Sequence, residues 1–116
     1  MSTNHTFKRI WMITGASRGF GAKIAAVALA YGDAVVATAR DSQKIIEKFG
    51  QTSALLATKL DVTDETQAAS AVQAAIQKFG RIDVLVNNAG YGLVGPLKNQ
   101  VLKKCGVFTR RMFLVF

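Results

Sequence analysis

An α/β fold built on a parallel sheet is what this sequence predicts, and three observations predict it. Short apolar runs recur along the chain, at residues 7–13, 34–39, 54–60 and 83–87. Segments with apolar residues at three- and four-residue spacing stand between them, each closing near a glycine. The turn after the first run carries three glycines, Gly15, Gly19 and Gly21. Strands that are apolar on both faces belong in a sheet that helices cover on two sides.

Each element has a local reason. Residues 7–13 form a short strand of large apolar side chains that runs into the glycine turn. From Gly19 onward, Ile24, Val27, Ala28 and Tyr31 mark one apolar face of a helix, and Gly32 suits the left-handed residue that ends it. Residues 34–39 make the second strand, closing at Arg40. Asp41 or Ser42 caps a short helix carrying Ile45, Ile46 and Phe49, stopped at Gly50.

Residues 54–60 are the third strand. Thr63 is the expected cap of a longer helix, with Asp64 and Glu65 where the helix dipole favours negative charge. Its inward face reads Ala68, Val72, Ala75, Ile76 and Phe79, and Gly80 ends it. Residues 83–87 are the fourth strand. Right-handed crossovers and a glycine turn after the first strand give the order 3-2-1-4, half of a Rossmann fold.

Composition limits the function classes. At 116 residues, half of them apolar, the chain suits one packed domain rather than a disordered segment. No apolar run approaches the roughly 18 residues that span a bilayer, and the polar start lacks a signal peptide's apolar block. A single cysteine, Cys105, agrees with a reducing compartment, so a cytoplasmic location is expected. The net charge of +8 is unevenly spread. Residues 1–97 hold ten Lys/Arg against seven Asp/Glu, whereas residues 98–116 hold five Lys/Arg and no acid. The body is ordinary and the tail carries the excess, so neither nucleic acid nor a membrane is expected as a partner.

The motifs carry the chemistry. Glycines between a strand and a helix let backbone approach a phosphate, and the helix start presents unpaired N–H groups at its positive end. A NAD site places a carboxylate at the tip of the second strand for the ribose 2′-OH. Here the tip reads Thr38-Ala39-Arg40. A guanidinium there suits a 2′-phosphate, and Arg18 in the glycine turn reaches toward the same group. NADP is therefore expected over NAD. Asp41 is the competing carboxylate, although an Asp before a helical segment serves as its cap. Asp61 ends the third strand, where a carboxylate can accept from an adenine amino group. Asn87-Asn88-Ala89-Gly90 ends the fourth, where small residues let backbone pass a cofactor and amides tie strand ends together.

Thr14-Gly15-x-x-x-Gly19-x-Gly21, Asp61-Val62 and Asn87-Asn88-Ala89-Gly90, in this order, resemble the short-chain dehydrogenase/reductase family over about residues 7–97. The resemblance implies an oxidoreductase that moves a hydride between NAD(P) and an alcohol or carbonyl. It implies that Gly15, Ser17, Arg18, Gly19 and Gly21, with Phe20 in the same loop, hold the pyrophosphate and adenosine ribose. Asp61 and Val62 would frame adenine, and Asn88, Ala89 and Gly90 would line the ribose and nicotinamide side.

The family's Tyr-x-x-x-Lys pair is missing from this sequence. Its tyrosines are Tyr31 and Tyr91, and four residues after them stand Val35 and Gly95. His5, the single histidine, lies in the polar start and reads as a solvated residue. No catalytic residue and no metal ligand is therefore assigned. Residues 1–97 read as a cofactor-binding half-domain, and residues 98–116 as an atypical basic and apolar tail. The break after Pro96 predicts a reading-frame change or a truncated gene, testable by sequencing the coding DNA past that codon. Such a chain is expected to bind NADP(H) without transferring hydride, the alternative being a non-catalytic nucleotide-binding or protein-interaction module. The open edge of the fourth strand is expected to pair with the tail's apolar run or with a second molecule.

Overall fold

In the computed structural model, the described residues are 7–61, 64–88 and, as backbone alone, 111–114. They form a parallel sheet of five strands in the order β3-β2-β1-β4-β5. The strands are β1 (Ile10–Ile13), β2 (Ala34–Ala39), β3 (Leu55–Lys59), β4 (Val84–Asn87) and β5 (Arg111–Leu114). The helices are α1 (Gly19–Ala30), α2 (Ser42–Phe49) and α3 (Glu65–Phe79). The predicted 3-2-1-4 order is thus present, with one strand added at its edge.

Period-two alternation divides the strand side chains between two cores. Met12, Val36 and Leu85 point to the face that α3 covers through Ala68, Ala71, Val72 and Ala75. Ile13, Val35, Ala37, Val84 and Val86 point to the other face, with Ala25 and Ala28 of α1 and Ile45 of α2. All of β2 and β4 is buried, as central strands of a two-sided sheet must be. The strand ends on one side are stitched by buried hydroxyls. Thr14 Oγ1 donates to the Val86 carbonyl and Thr38 Oγ1 to the Ile13 carbonyl, each at 3.4 Å.

The opposite end of β1 is pinned by Asp83. Its carboxylate accepts from the Ile10 amide at 2.8 Å, and its own amide donates to the Ile10 carbonyl at 2.8 Å. Arg81 grips both oxygens of that carboxylate and also donates to the Phe7 carbonyl at 2.9 Å. Phe7 leaves the sheet here. Its ring stands edge-on to Phe79 of α3, with centroids 5.8 Å apart, so β1 starts at Ile10 rather than at residue 7.

Two further expectations are corrected, and a third is decided between its alternatives. The inward face of α1 is Gly21, Ala22, Ala25 and Ala28, while Val27 and Tyr31 are 54% and 81% exposed. Both stripes satisfy a helical period, and the small residues win because they let the helix axis approach the sheet closely. The cap of α3 is Asp64 rather than Thr63, which lies outside the described residues. The Asp64 carboxylate accepts from the Thr66 and Gln67 amides at 2.9 and 3.2 Å. The edge of β4 is not open. It pairs in parallel with β5 in a register that sets Val84 beside Arg111 and Asn87 beside Leu114. Of the two ways expected to cover that edge, the chain uses its own tail.

Candidate functional site

The carboxyl ends of β1, β2 and β4 surround a cleft of about 620 Å³. Its floor is Thr14 and Gly15, and its walls include Ser17, Thr38, Leu60 and Asn88. The turn from β1 into α1 is held from both sides. The Ala16 amide donates to the Thr38 carbonyl at 2.9 Å, and Asn88 Nδ2 donates to the Gly15 carbonyl at 3.1 Å. Gly15 and Gly19 both adopt φ of +64°, a left-handed conformation that disfavours any side chain. Gly21 is tight for another reason. A Cβ there would strike the Gly15 carbonyl and lie 2.7 Å from Asn88 Nδ2.

Electrostatics give this cleft a sign. Arg18, Arg40 and Lys44 line it, and all three are exposed. The acid beside them, Asp41, is occupied: its carboxylate accepts from the Gln43 amide at 3.0 Å and caps α2. Asp64 likewise caps α3, but α1 has neither a side-chain cap nor an acid in its first turn. The start of α1 therefore keeps amide donors and the positive end of its dipole for an outside acceptor. Three cations, a bare helix start and glycine backbone suit a polyanion with more than one phosphate.

Most of the residues singled out in the sequence converge here. Gly15, Ser17, Arg18, Arg40 and Asn88 line the cleft. Gly19 and Gly21 shape the turn from outside the lining. The Phe20 side chain points elsewhere, into a second groove on the far side of α1. Asp61 follows Leu60, a lining residue, and its amide donates to Gln67 Oε1 at 2.8 Å. Val62, Ala89 and Gly90 lie outside the described residues. Lys44 went unread in the sequence because a lysine on the polar side of an amphipathic helix reads as solvated. Its place one turn after Arg40, in the first turn of α2, was the available signal. Among the described residues no group of three His, Cys, Asp or Glu side chains is arranged to hold a metal. Among them, too, no helix is long and apolar enough to cross a membrane.

The chain is similar in sequence and fold to known proteins. A family model described as short chain dehydrogenase matches residues 9–106, running past Leu97 into the basic tail. Oxidoreductase BOA17 of Botryotinia fuckeliana is 50% identical over 86 residues, covering 72% of this chain and 31% of that protein. An uncharacterized oxidoreductase of Schizosaccharomyces pombe is 42% identical over 99 residues, covering 85% of this chain and 32% of that protein. The chain spans about a third of the length of these relatives. Among solved structures, a short-chain dehydrogenase from Streptomyces avermitilis is 39% identical with a TM-score of 0.63, covering 82% of this chain and 34% of its own. A 3-ketoacyl-(acyl-carrier-protein) reductase from Brucella melitensis, complexed with NADH, is 37% identical with a TM-score of 0.65. That match covers 76% of this chain and 36% of the reductase. The span matched by the family model holds β1 through β4 and the whole glycine turn, and the chain belongs to the short-chain dehydrogenase/reductase family.

Proposed function

We propose that this chain is the NADP(H)-binding portion of a short-chain dehydrogenase/reductase and transfers no hydride by itself. The observation that carries the reading is the pairing of Arg18 and Arg40 in one cleft, with Lys44 beside them and Asp41 engaged as a cap. A ribose diol asks for a free carboxylate at the tip of β2, whereas a 2′-phosphate asks for cations there. Gly15, Ser17, Arg18, Gly19 and Gly21 hold the pyrophosphate and adenosine ribose against the start of α1. By the family resemblance, Asp61 and Val62 would frame the adenine, while Asn88, Ala89 and Gly90 would line the second ribose and the nicotinamide.

The bound cofactor supplies or accepts the hydride in the intact family. This chain's residues bind and orient it, but no tyrosine has a lysine four residues on to lower its pKa and donate the proton. The family resemblance and the cationic cleft thus support binding, and the missing tyrosine–lysine pair supports the lack of turnover. One cysteine, and no membrane-crossing helix among the described residues, support a cytoplasmic setting.

Thermal unfolding of the purified chain with NADP or NAD tests the proposal. Stabilisation by NADP exceeding that by NAD at equal concentration is expected. Equal stabilisation by both would remove the 2′-phosphate assignment, and no response to either would remove nucleotide binding altogether. Reduction of any carbonyl by this chain alone would end the claim that it lacks turnover.

A further inference from the structure

Resting on the proposed place of Asp61 beside the adenine, we infer that Gln67, in the first turn of α3, is a positioning residue that aims the Asp61 carboxylate. The direction of one hydrogen bond carries this. A glutamine at the third position of a helix ordinarily turns back to the amide of the cap residue. Here the cap is Asp64, and its amide is already bonded to the Asp61 carbonyl at 3.0 Å. Gln67 reaches past it, and its Oε1 accepts from the amide of Asp61 itself at 2.8 Å.

Both main-chain polar groups of Asp61 therefore end on the start of α3, the amide on Gln67 and the carbonyl on Asp64. Gln67 is in turn held in place, because its own amide donates to the Asp64 carboxylate at 3.2 Å. The residue before Asp61 is fixed as well. Leu60 donates its amide to the Ala39 carbonyl at 2.9 Å and is buried with Ala68, Ala71 and Val72 of α3. With the peptide units on both sides of its Cα fixed, the Asp61 side chain keeps only its own rotamers.

This clamp stands at the edge of the cleft. Leu60 lines it, whereas Gln67 is not among the lining residues. Gln67 thus acts on the cofactor through Asp61. Removing its side-chain oxygen leaves the part-buried Asp61 amide without that partner, and the strand end turns to find another. The carboxylate then loses its direction, though not its charge.

Base discrimination reads that direction. The adenine amino group donates to a carboxylate, while hypoxanthine presents a carbonyl oxygen at the same place and repels it. The test is calorimetric titration of the whole chain with NADP and with its hypoxanthine counterpart. The unaltered chain is expected to favour NADP roughly tenfold. Gln67→Met keeps the side chain's length without its acceptor and should bring that ratio to about threefold or less. Gln67→Ala, which keeps a strong helix former, should do the same. Gln67→Glu should restore the ratio, because a carboxylate oxygen accepts as the amide oxygen does. The ratio of NADP to NAD should stay constant throughout, since Arg18 and Arg40 are untouched. An undiminished base ratio in both Gln67→Met and Gln67→Ala, or equal weakening of the two dinucleotides, would overturn the role of Gln67 and leave Asp61 in place. Equal binding of the two by the unaltered chain would instead remove Asp61 from the adenine, and with it the role of Gln67.

Discussion

The side-chain amide of Asn88, just past the end of β4, donates to the main-chain carbonyl of Gly15, in the turn after β1, at 3.1 Å. Residues 73 positions apart are thus tied at the floor of the cleft. The same amide nitrogen and the same carbonyl are what a side chain at Gly21 would strike. One hydrogen bond and one missing Cβ therefore set the position of the glycine-turn backbone.

Removing that tie should loosen the turn more than the fold. Asn88→Ala gives up a neutral hydrogen bond of about 1 kcal/mol, so NADP affinity should fall roughly fivefold with a small drop in melting temperature. Asn88→Asp should be worse, because a carboxylate cannot donate to Gly15 and adds negative charge beside a phosphate. Titration followed through Trp11 fluorescence reads both. Wild-type affinity in Asn88→Ala would show that the turn holds its shape without the tie.

The cation set makes a separable prediction. Arg40→Asp should weaken NADP relative to NAD by about 2 kcal/mol, roughly thirtyfold, since it removes a charge-assisted hydrogen bond. Lys44→Ala should lower the NADP preference by less, its ammonium being a point charge on a flexible stem. Paired calorimetric titrations decide this. Equal losses for the two nucleotides in Arg40→Asp would place Arg40 on a part of the cofactor that both share.

Much of this was legible in the residues, and the exceptions have physical causes. The whole of β2 was readable because a buried central strand is apolar on both faces and ends where the charges begin, at Arg40. The sheet order followed from crossover handedness and the place of the glycine turn. The face of α1 was misread because hydrophobicity rates Val27 and Tyr31 above Ala22 and Ala25, whereas helix–sheet distance rewards the smaller pair. Thr63 was preferred to Asp64 as a cap although either side chain can accept, and position alone decided between them. The cleft was half legible. Its glycines and arginines have motif spacing, but Lys44 enters only because α2 turns it toward Arg40. The strand β5 had no alternating pattern to announce it and is defined by the edge it covers.

The two aspartate caps should separate stability from recognition. Asp64 accepts from two amides and Asp41 from one, so Asp64→Ala should cost about 1 kcal/mol and Asp41→Ala less. Asparagine at either position should restore most of the loss, because its side-chain oxygen accepts in the same way. Chemical denaturation gives the stabilities. Neither alanine should change the ratio of NADP to NAD affinity. A shifted ratio in Asp41→Ala would mean that this carboxylate reads the ribose as well as capping α2.

The pairing of β4 with β5 leads to a prediction about solution behaviour. In the intact chain, Val84 to Asn87 are each matched by a residue between Arg111 and Leu114, so the hydrogen-bonding groups on that side of β4 are covered. Deleting residues 107–116 uncovers a buried, wholly apolar strand apart from Asn87, and such an edge recruits strands from other molecules. The shortened chain should therefore sediment as dimers or larger species at concentrations where the intact chain is monomeric, and it should melt at a lower temperature. The register makes the effect specific. Replacing Met112 and Leu114 with lysine should interfere less than the deletion, because the ladder is made by backbone and an edge strand tolerates charged side chains. If the deletion variant stayed monomeric and equally stable, β5 would contribute nothing to the fold, and the edge of β4 would need another cover.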